Sequence, residues 1–410
     1  MPPTYLTGLG WFGMFWEKEI AMPRMLRCEI FDSSEVSIVH CVQRCVRRAY
    51  LAGMDAVSGK NYEFRREWIR ARMERLASVF GVDVLTYSIL SNHLHLVLRT
   101  RPDVIATWSD EEVAIRWLKV FPGRRLDELL AEPTQTDVET LVANKERMAI
   151  VKSRLSDPSW FMRALSEPIA RLANKQDECT GRFWEGRFKA QRITDDAGLL
   201  ACSMYVDLNP IRAAMAESPE QSLHTSAYDR INAIKGATIL SAAADLTVIT
   251  REDAAETIKS STPDQLKQRR RKSKLRRGMS ILRDAWLAPM TLMNNVKDPV
   301  QASSTSLRAS DRGFLSMKLT EYLALLDWTG REGHPSKRGK IPDELAPILT
   351  RLGIDGHMWC DLVWGFKKYF GKSSSAGSPK SMKESAAKYR CKFARGQNAA
   401  AGCFASALVR

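Results

Sequence analysis

Two histidines separated by one residue, His93 and His95, are the side chains whose type and spacing most directly suggest chemistry. They lie in the apolar run 84–99, which has the length and composition of a β-strand pair. Alternate residues of a strand point to the same face, so both imidazoles share one face. Two such rings can hold a divalent metal that keeps open positions for a substrate oxygen. Ordinary surface or hydrogen-bonded histidines are the alternative.

A tyrosine and an asparagine form the second chemical feature, about 110 residues further along the chain. The surrounding segment predicts a helix with Thr194 as its N-cap, and Pro210 is expected to bend or end that helix. Tyr205 and Asn209 are then neighbours one turn apart. The buried stripe is predicted to consist of Leu200, Met204, Leu208 and Ile211.

Covalent phosphoryl transfer is the chemistry that such a set permits. A tyrosine phenolate can attack a phosphodiester and conserve the bond energy in a phosphotyrosine link. A metal held by His93, His95 and the Asn209 amide oxygen would stabilise charge on the phosphate in the transition state. A tyrosine that only packs its ring and donates one hydrogen bond is the alternative for Tyr205.

Four short motifs, in this order, resemble one known family. They are Val39–Arg44, Ser91–His95, Gly181–Phe188 and Tyr205–Ala213. The chain resembles the single-tyrosine HUH transposases of the insertion-sequence-200-like type, in particular their REP-associated tyrosine transposase branch. The resemblance covers residues 22–228, about half of the chain.

The resemblance implies roles for individual residues. His93 and His95 would be metal ligands, Asn209 a third ligand and Tyr205 the nucleophile. The implied cofactor is Mg²⁺ or Mn²⁺. The implied activity is that of a DNA transposase or nickase, which cleaves and rejoins single-stranded, hairpin-bearing DNA through a 5′-phosphotyrosine intermediate.

Basic charge is concentrated in the second half of the chain. The net charge is +15, with 62 basic and 47 acidic residues; residues 1–235 contribute +1 (32 basic, 31 acidic) and residues 236–410 contribute +14 (30 basic, 16 acidic). The run 267–277 holds eight basic residues in eleven, including Arg269, Arg270 and Arg271. Such a run is usually a solvated linker, and it can also bind phosphates without reading sequence.

Cations alternate with aromatic residues just before the tyrosine helix. This pattern is typical of base stacking combined with phosphate contacts, and it is equally typical of core aromatics flanked by exposed arginines. Together with Arg44 from the first motif, the candidate DNA-binding residues are Arg182, Trp184, Arg187 and Lys189.

Periodicity predicts an α+β fold. Strands are expected over 36–46, 82–89, 93–100 and 188–193, and helices over 62–80 and 161–175, with a helical insertion at 110–153. This order matches a ferredoxin-like split βαβ catalytic domain with an antiparallel sheet. Residues 314–328 and 358–370 predict further helices, and Gly371–Ser381 predicts a flexible spacer.

The chain is long enough for about two domains. We expect an N-terminal extension (1–21), a catalytic domain (22–235), a basic linker (236–312) and a mainly helical, basic accessory region with a flexible tail (313–410). The eight cysteines form no Cys-x-x-Cys pair, and residues 1–21 fit neither a signal peptide nor a membrane span, so a cytoplasmic protein without a membrane partner is predicted. DNA is the expected partner, and a homodimer is compatible with the sequence.

Two other classes of function stay open. One is a domesticated DNA-binding protein that keeps the fold and does not cleave. The other is a metal-dependent enzyme that uses the two histidines on a small molecule. Covalent capture of DNA would separate the transposase from both of them.

Overall fold

The protein is described here from a computed structural model. It describes residues 26–46, 51–55, 59–122, 133–235, 283–293, 298–331, 356–371, 373–389, 396–397 and 400–401. The basic run 267–277 and the predicted extension 1–21 lie outside these residues.

A five-stranded sheet organises the described part of the chain. Its strands are β1 (Ile38–Arg44), β2 (Val82–Ile89), β3 (His93–Thr100), β4 (Lys189–Ile193) and β5 (Ser375–Ala376). Their order across the sheet is β2-β3-β1-β4-β5. The first four strands pair antiparallel with their neighbours, whereas β5 runs parallel to β4. The α+β class is confirmed, and the four strands within the predicted catalytic domain are antiparallel as expected; the sheet as a whole is mixed because β5 joins it from outside that domain.

Strand β5 arises from the segment predicted to be a flexible spacer. The amide of Arg192 donates to the Ser374 carbonyl at 2.7 Å, and the amide of Thr194 donates to the Ala376 carbonyl at 3.0 Å. These bonds use the backbone donors that the edge of β4 would otherwise leave unpaired. A two-residue strand of Ser and Ala has no hydrophobic periodicity, which is why the sequence pattern missed it.

Helices surround the sheet. They are α1 (Arg65–Ala77), α2 (Pro102–Ile105), α3 (Asp110–Val120), α4 (Gln135–Ala143), α5 (Lys145–Leu155), α6 (Pro158–Gln176), α7 (Asp196–Asp207), α8 (Asn209–Arg212), α9 (Leu319–Arg331), α10 (Gly356–Trp364), α11 (Phe366–Phe370) and α12 (Pro379–Lys388), besides a 3-10 turn at Arg27–Glu29. The predicted helical insertion is confirmed by α3, α4 and α5. Among the described residues, no helix combines the length and apolar character needed to span a bilayer.

The sheet has a hydrophobic core on each face. Leu94, Leu96 and Leu98 of β3 belong to the first core, together with residues of α1 and α6. Val97 belongs to the second core, together with α7 and residues of α9, α10 and α11. The alternation of β3 therefore separates the leucines from the face that carries His93 and His95, as predicted.

Helix α7 crosses this second face and is buried from Ala197 to Asp207. Its N-cap is Asp195, whose side chain accepts from the Gly198 amide at 2.8 Å. The prediction of Thr194 as the cap is wrong, because the Thr194 hydroxyl donates to the Ala376 carbonyl of β5 instead. The predicted break at Pro210 is confirmed, since α7 ends at Asp207 and the short α8 begins at Asn209.

Candidate functional site

His93 and His95 meet Tyr205 on the second face of the sheet. The two imidazole centroids are 4.9 Å apart, and the ring of Tyr205 lies edge-on to that of His95 with 5.5 Å between centroids. Strand β3 places the histidines by its period of two, and α7 carries the tyrosine across the same face. Side chains about 110 residues apart in sequence are thus brought into one cluster.

Asn209 lies at the helix break beside Tyr205. The Asn209 side chain lies close enough to the Tyr205 phenol to lower its pKa, and Asn209 and Tyr205 are only 7% and 5% exposed. The Asn209 amide nitrogen is buried and has no hydrogen-bond partner among the described residues. An unpartnered buried amide is costly, so this nitrogen is an atom that a bound group could satisfy.

His40 of β1 is a third histidine of the cluster, to which the sequence pattern gave no role. Its Nε2 lies 2.9 Å from Nδ1 of His95, and the two rings are stacked with centroids 5.2 Å apart. His40 is opposite Val97 in the β1–β3 register and opposite Gln191 in the β1–β4 register. It occurs in the motif Val39–Arg44, where the period-two alternation of β1 could have placed it on the histidine face.

Three exposed cations surround the histidines. Arg44 stands opposite His93 in the β1–β3 register, Arg212 lies 5.1 Å above the centroid of the Tyr205 ring, and Lys367 belongs to α11. Of the three, only Arg44 was predicted. Their positive field suits a phosphate, because anions are attracted to clustered cations at the edge of a low-dielectric site.

Burial and these cations keep the imidazoles neutral near pH 7. Burial, followed by Arg44 and Lys367, lowers the pKa of His93 to about 4. Burial also lowers the pKa of His40 to about 4, against a hydrogen bond with Gln191 that raises it. The pKa of His95 is lowered well below 6.5 by burial and then by its histidine neighbours. Neutral imidazoles retain the lone pair that metal binding requires.

Burial raises the pKa of the Tyr205 phenol above 10.0, while Arg212 and the neighbouring Asn209 amide lower it. The ring is also stacked on Phe366 of α11, with 5.1 Å between centroids and 26° between planes. Phe366 makes an edge contact with His40 as well, at 6.1 Å. Helix α11, in the C-terminal part of the chain, therefore contributes to the cluster directly, which no sequence pattern indicated.

The predicted DNA-binding residues occupy different places. Arg182, Arg187 and Lys189 are exposed around the start of β4. Trp184 is half-buried against the first core, and its indole N–H donates to the Ser166 carbonyl at 2.8 Å. Trp184 thus packs on the face opposite to the histidines. The predicted Arg269, Arg270 and Arg271 lie outside the described residues.

The histidines fit a metal with nitrogen ligands. His93 Nδ1 contacts the Asn92 side-chain oxygen, which can only accept, so Nε2 of His93 carries its lone pair. His95 Nε2 is buried and has no hydrogen-bond partner in the part of the chain that the structure describes. The described residues contain no group of three or more His, Cys, Asp or Glu side chains able to hold a metal. A third protein ligand would thus be the Asn209 amide, and a carboxylate-free set favours Mn²⁺ over Mg²⁺.

Comparisons with known proteins add one distant likeness. No protein-family model matches the chain, and no curated protein matches it. A solved structure of a REP-associated tyrosine transposase bound to a REP hairpin is 11% identical, covers 50% of this chain and 82% of that chain, and has a TM-score of 0.30. A likeness at this level does not assign the chain to a family or give it a function.

Proposed function

We propose that this chain is a metal-dependent DNA strand transferase of the transposase type, which nicks and rejoins single-stranded, hairpin-bearing DNA. The observation that carries the proposal is the convergence of Tyr205 with His93 and His95, with 5.5 Å between the Tyr205 and His95 rings. Tyrosine supplies a nucleophile, the imidazoles supply metal ligands, and the surrounding cations suit a phosphodiester. Motifs that resemble the single-tyrosine HUH transposases support the same assignment.

Tyr205 is the proposed nucleophile. Its phenolic oxygen would attack phosphorus, forming a 5′-phosphotyrosine bond while the bond from phosphorus to the 3′-oxygen breaks. The phenolic proton ends, overall, on the released 3′-hydroxyl. A 3′-hydroxyl of another strand can later reverse this step and restore a phosphodiester. Arg212, which lies over the ring, favours the phenolate form that the attack needs.

His93, His95 and Asn209 are the proposed holders of the metal, Mn²⁺ or Mg²⁺. When bound, such an ion neutralises charge on the non-bridging phosphate oxygens. Arg44 and Lys367 lie near His93 and would attract and orient the same phosphate. Phe366, stacked on Tyr205, would limit the rotation of the phenol and the access of water.

DNA is the proposed partner, bound through exposed cations. Arg44 and Lys189 are exposed on neighbouring strands, and the run with Arg269, Arg270 and Arg271 adds backbone contacts. The first four strands, in the order β2-β3-β1-β4 with β3 between β1 and β2, support a ferredoxin-like split βαβ module. We propose the cytoplasm as the place of action and a homodimer as a compatible assembly.

Covalent capture tests the proposal. The full chain is incubated with a labelled single-stranded hairpin and Mn²⁺, and an SDS-resistant adduct is expected. Tyr205→Phe removes only the phenolic oxygen, so we expect hairpin binding to persist and the adduct to disappear. Tyr228→Phe, which removes the phenol of a tyrosine packed on Arg283 outside the cluster, is the matched control. An undiminished adduct in Tyr205→Phe would refute the assignment.

A DNA-binding protein that does not cleave is a second candidate, and one observation favours it. Tyr205 is only 5% exposed, because Phe366 covers one face of its ring. In a non-cleaving protein this cover would be permanent. Tight hairpin binding with no adduct from the unmodified chain would single out this candidate. No DNA affinity together with metal-dependent turnover of a small molecule would favour a metal-dependent enzyme that uses the two histidines on a small molecule.

A further inference from the structure

The side-chain amide of Gln191, in β4, is held by two backbone carbonyls from the C-terminal part of the chain. Its amide nitrogen donates to the carbonyls of Phe370 and Ser373, the latter at 3.0 Å. A side-chain amide has two N–H donors and one carbonyl acceptor. Because both donors are used on carbonyl oxygens that can only accept, the orientation of this amide is fixed, and its oxygen is the atom left for any further bond.

His40 lies next to that oxygen. The two residues are directly opposite each other in the β1–β4 register, and the Gln191 side chain raises the pKa of His40, as a nearby hydrogen-bond acceptor does. Nε2 of His40 lies 2.9 Å from Nδ1 of His95, so Nδ1 of His40 is the ring nitrogen left to face Gln191. Since the Gln191 oxygen only accepts, a bond between the two side chains places the proton on Nδ1 of His40. Nε2 of His40 is therefore an acceptor in the neutral ring.

The same logic extends to His95. An acceptor at His40 Nε2 requires a donor at His95 Nδ1, which then carries the single proton of that neutral imidazole. The remaining nitrogen, Nε2, keeps its lone pair, and it is the buried atom that has no hydrogen-bond partner among the described residues. Tautomer and ring orientation are set by the hydrogen bond on the other nitrogen of a histidine.

We propose that His40 and Gln191 are positioning residues that hold His95 as its Nδ1–H tautomer and aim Nε2 at the metal position. The carbonyls of Phe370 and Ser373 complete this relay, so the C-terminal segment sets the state of a ligand on β3. The relay gives the proposed metal site a second layer of residues, and to that extent it rests on the proposed function.

The tautomer can be measured directly in the full chain. Selective ¹⁵N-histidine labelling and long-range ¹⁵N–¹H correlation at pH 7 distinguish Nδ1–H from Nε2–H, and the signal that is lost in His95→Gln assigns His95. We expect Nδ1–H for His95 in the unmodified protein. Nε2–H there would overturn the proposal without recourse to any variant that fails to fold.

Two variants separate the relay from simple packing. Gln at position 40 can present a side-chain oxygen near the place of Nε2, so His40→Gln should keep the Nδ1–H tautomer, whereas His40→Leu should not. Gln191→Met removes the anchor of His40. We expect Mn²⁺ affinity, measured by calorimetry, to fall by about 10- to 100-fold in His40→Leu and Gln191→Met and by less in His40→Gln. Equal affinities in all four proteins, or no Mn²⁺ binding by the unmodified chain, would overturn the proposal.

Neither measurement uses DNA, so the two proposals can fail separately. The Nδ1–H tautomer and the affinity series without any covalent adduct would uphold the relay and refute strand transfer. An adduct through Tyr205 with His95 as Nε2–H would uphold strand transfer and refute the relay.

Discussion

At the scale of single residues, the cluster is defined by how few of its polar atoms are satisfied by protein. Among the described residues, His95 Nε2 and the amide nitrogen of Asn209 are buried without hydrogen-bond partners, whereas Nε2 of His40 and the amide nitrogen of Gln191 are bonded. Unsatisfied buried atoms are expensive and are retained where a ligand completes them. These two unpartnered nitrogens therefore mark the side of the cluster that a substrate or metal would contact.

Arg212 is predicted to assist Tyr205 through its charge. Because the guanidinium lowers the pKa of the phenol, Arg212→Gln should raise that pKa and shift the pH dependence of adduct formation to higher pH. At a fixed neutral pH we expect adduct formation to slow by roughly three- to tenfold, the effect of about 1 kcal/mol at an exposed charge. Arg163→Gln, on the exposed face of α6, is the control. An unchanged pH profile in Arg212→Gln would contradict this role.

His224 is predicted to limit stability in mild acid. Burial, followed by Arg66, Arg283 and Arg70, lowers its pKa from 6.5 to about 4; the Glu67 carboxylate lies 3.9 Å from its Nδ1 and is half exposed. Below pH 6.5 the His224 imidazole is protonated in the unfolded chain, whereas in the folded chain it stays neutral down to about pH 4. Stability is therefore lost as the pH falls through this window, by up to about 3 kcal/mol for this group.

His224→Asn tests the point, because Asn tolerates the φ of +61° at this position and does not titrate. Urea unfolding of both proteins between pH 8 and pH 4 should show a shallower loss of stability in the variant. The pH dependence of the two proteins should coincide above pH 7.5, where neither position is charged. Parallel curves in the acid range would show that His224 does not drive the loss.

At the scale of elements, α7 is the helix on which the C-terminal region is assembled. At its N-terminus, Asp195 accepts from the Ser378 amide at 2.7 Å and from the Ser381 hydroxyl at 2.5 Å. At its C-terminus, Asp207 accepts from the Tyr322 hydroxyl at 2.7 Å. Both ends of the helix that carries Tyr205 are thus fixed by residues more than 100 positions away, so a fragment ending at residue 235 is expected to lose this support.

Gly198 of α7 lies directly against the end of β5. A Cβ at this position would lie 2.9 Å from both the Ala376 carbonyl oxygen and the Gly377 Cα, which are backbone atoms that cannot rotate away. Gly198→Ala should destabilise the protein by about 1 to 3 kcal/mol, although Ala is the better helix former.

Gly330→Ala in α9 is the matched control, because its Cβ would meet only the ends of flexible side chains, the nearer being Leu208 at 3.3 Å. We expect that change to be neutral or to stabilise by less than about 1 kcal/mol. Denaturant midpoints of the two variants decide the matter. A stabilised Gly198→Ala protein would mean that β5 does not sit against α7.

At the scale of the whole molecule, charge and cluster are separated along the chain. Residues 1–235 contribute +1 of the net charge and residues 236–410 contribute +14, yet His93, His95 and Tyr205 belong to the first part. Chemistry and non-specific attraction to DNA are therefore expected to depend on different residues, with Arg44, Arg212 and Lys367 acting locally on one phosphate.

Salt titration tests this division of labour. Replacing Arg269, Arg270 and Arg271 by Gln should flatten the dependence of log K on log salt by about 2 for single-stranded DNA, since each lost phosphate contact removes about 0.7. Replacing Arg163 and Arg171, exposed residues of α6 that pair with Glu167, is the control and should leave the slope unchanged. If the triple variant keeps the full slope, the basic run does not touch DNA.

The sequence by itself determined the local features of this protein. It predicted the bounds of β2 and β3, the shared face of His93 and His95, and the helix break at Pro210, because periodicity and proline geometry are properties of neighbouring residues. Helices α1 and α6 were also predicted, with ends shifted by one to three residues, which is the usual uncertainty of a helix terminus.

Only the tertiary structure decided which distant residues complete the cluster. Gln191 meets His40 because β4 pairs with β1, and it is locked because Phe370 and Ser373 follow it at separations of 179 and 182 residues. The two-residue β5 and the ring of Phe366 over Tyr205 likewise depend on the packing of a late segment on an early helix. Such contacts leave no periodic pattern in either partner, because strand register and helix packing select them only when the chain is folded.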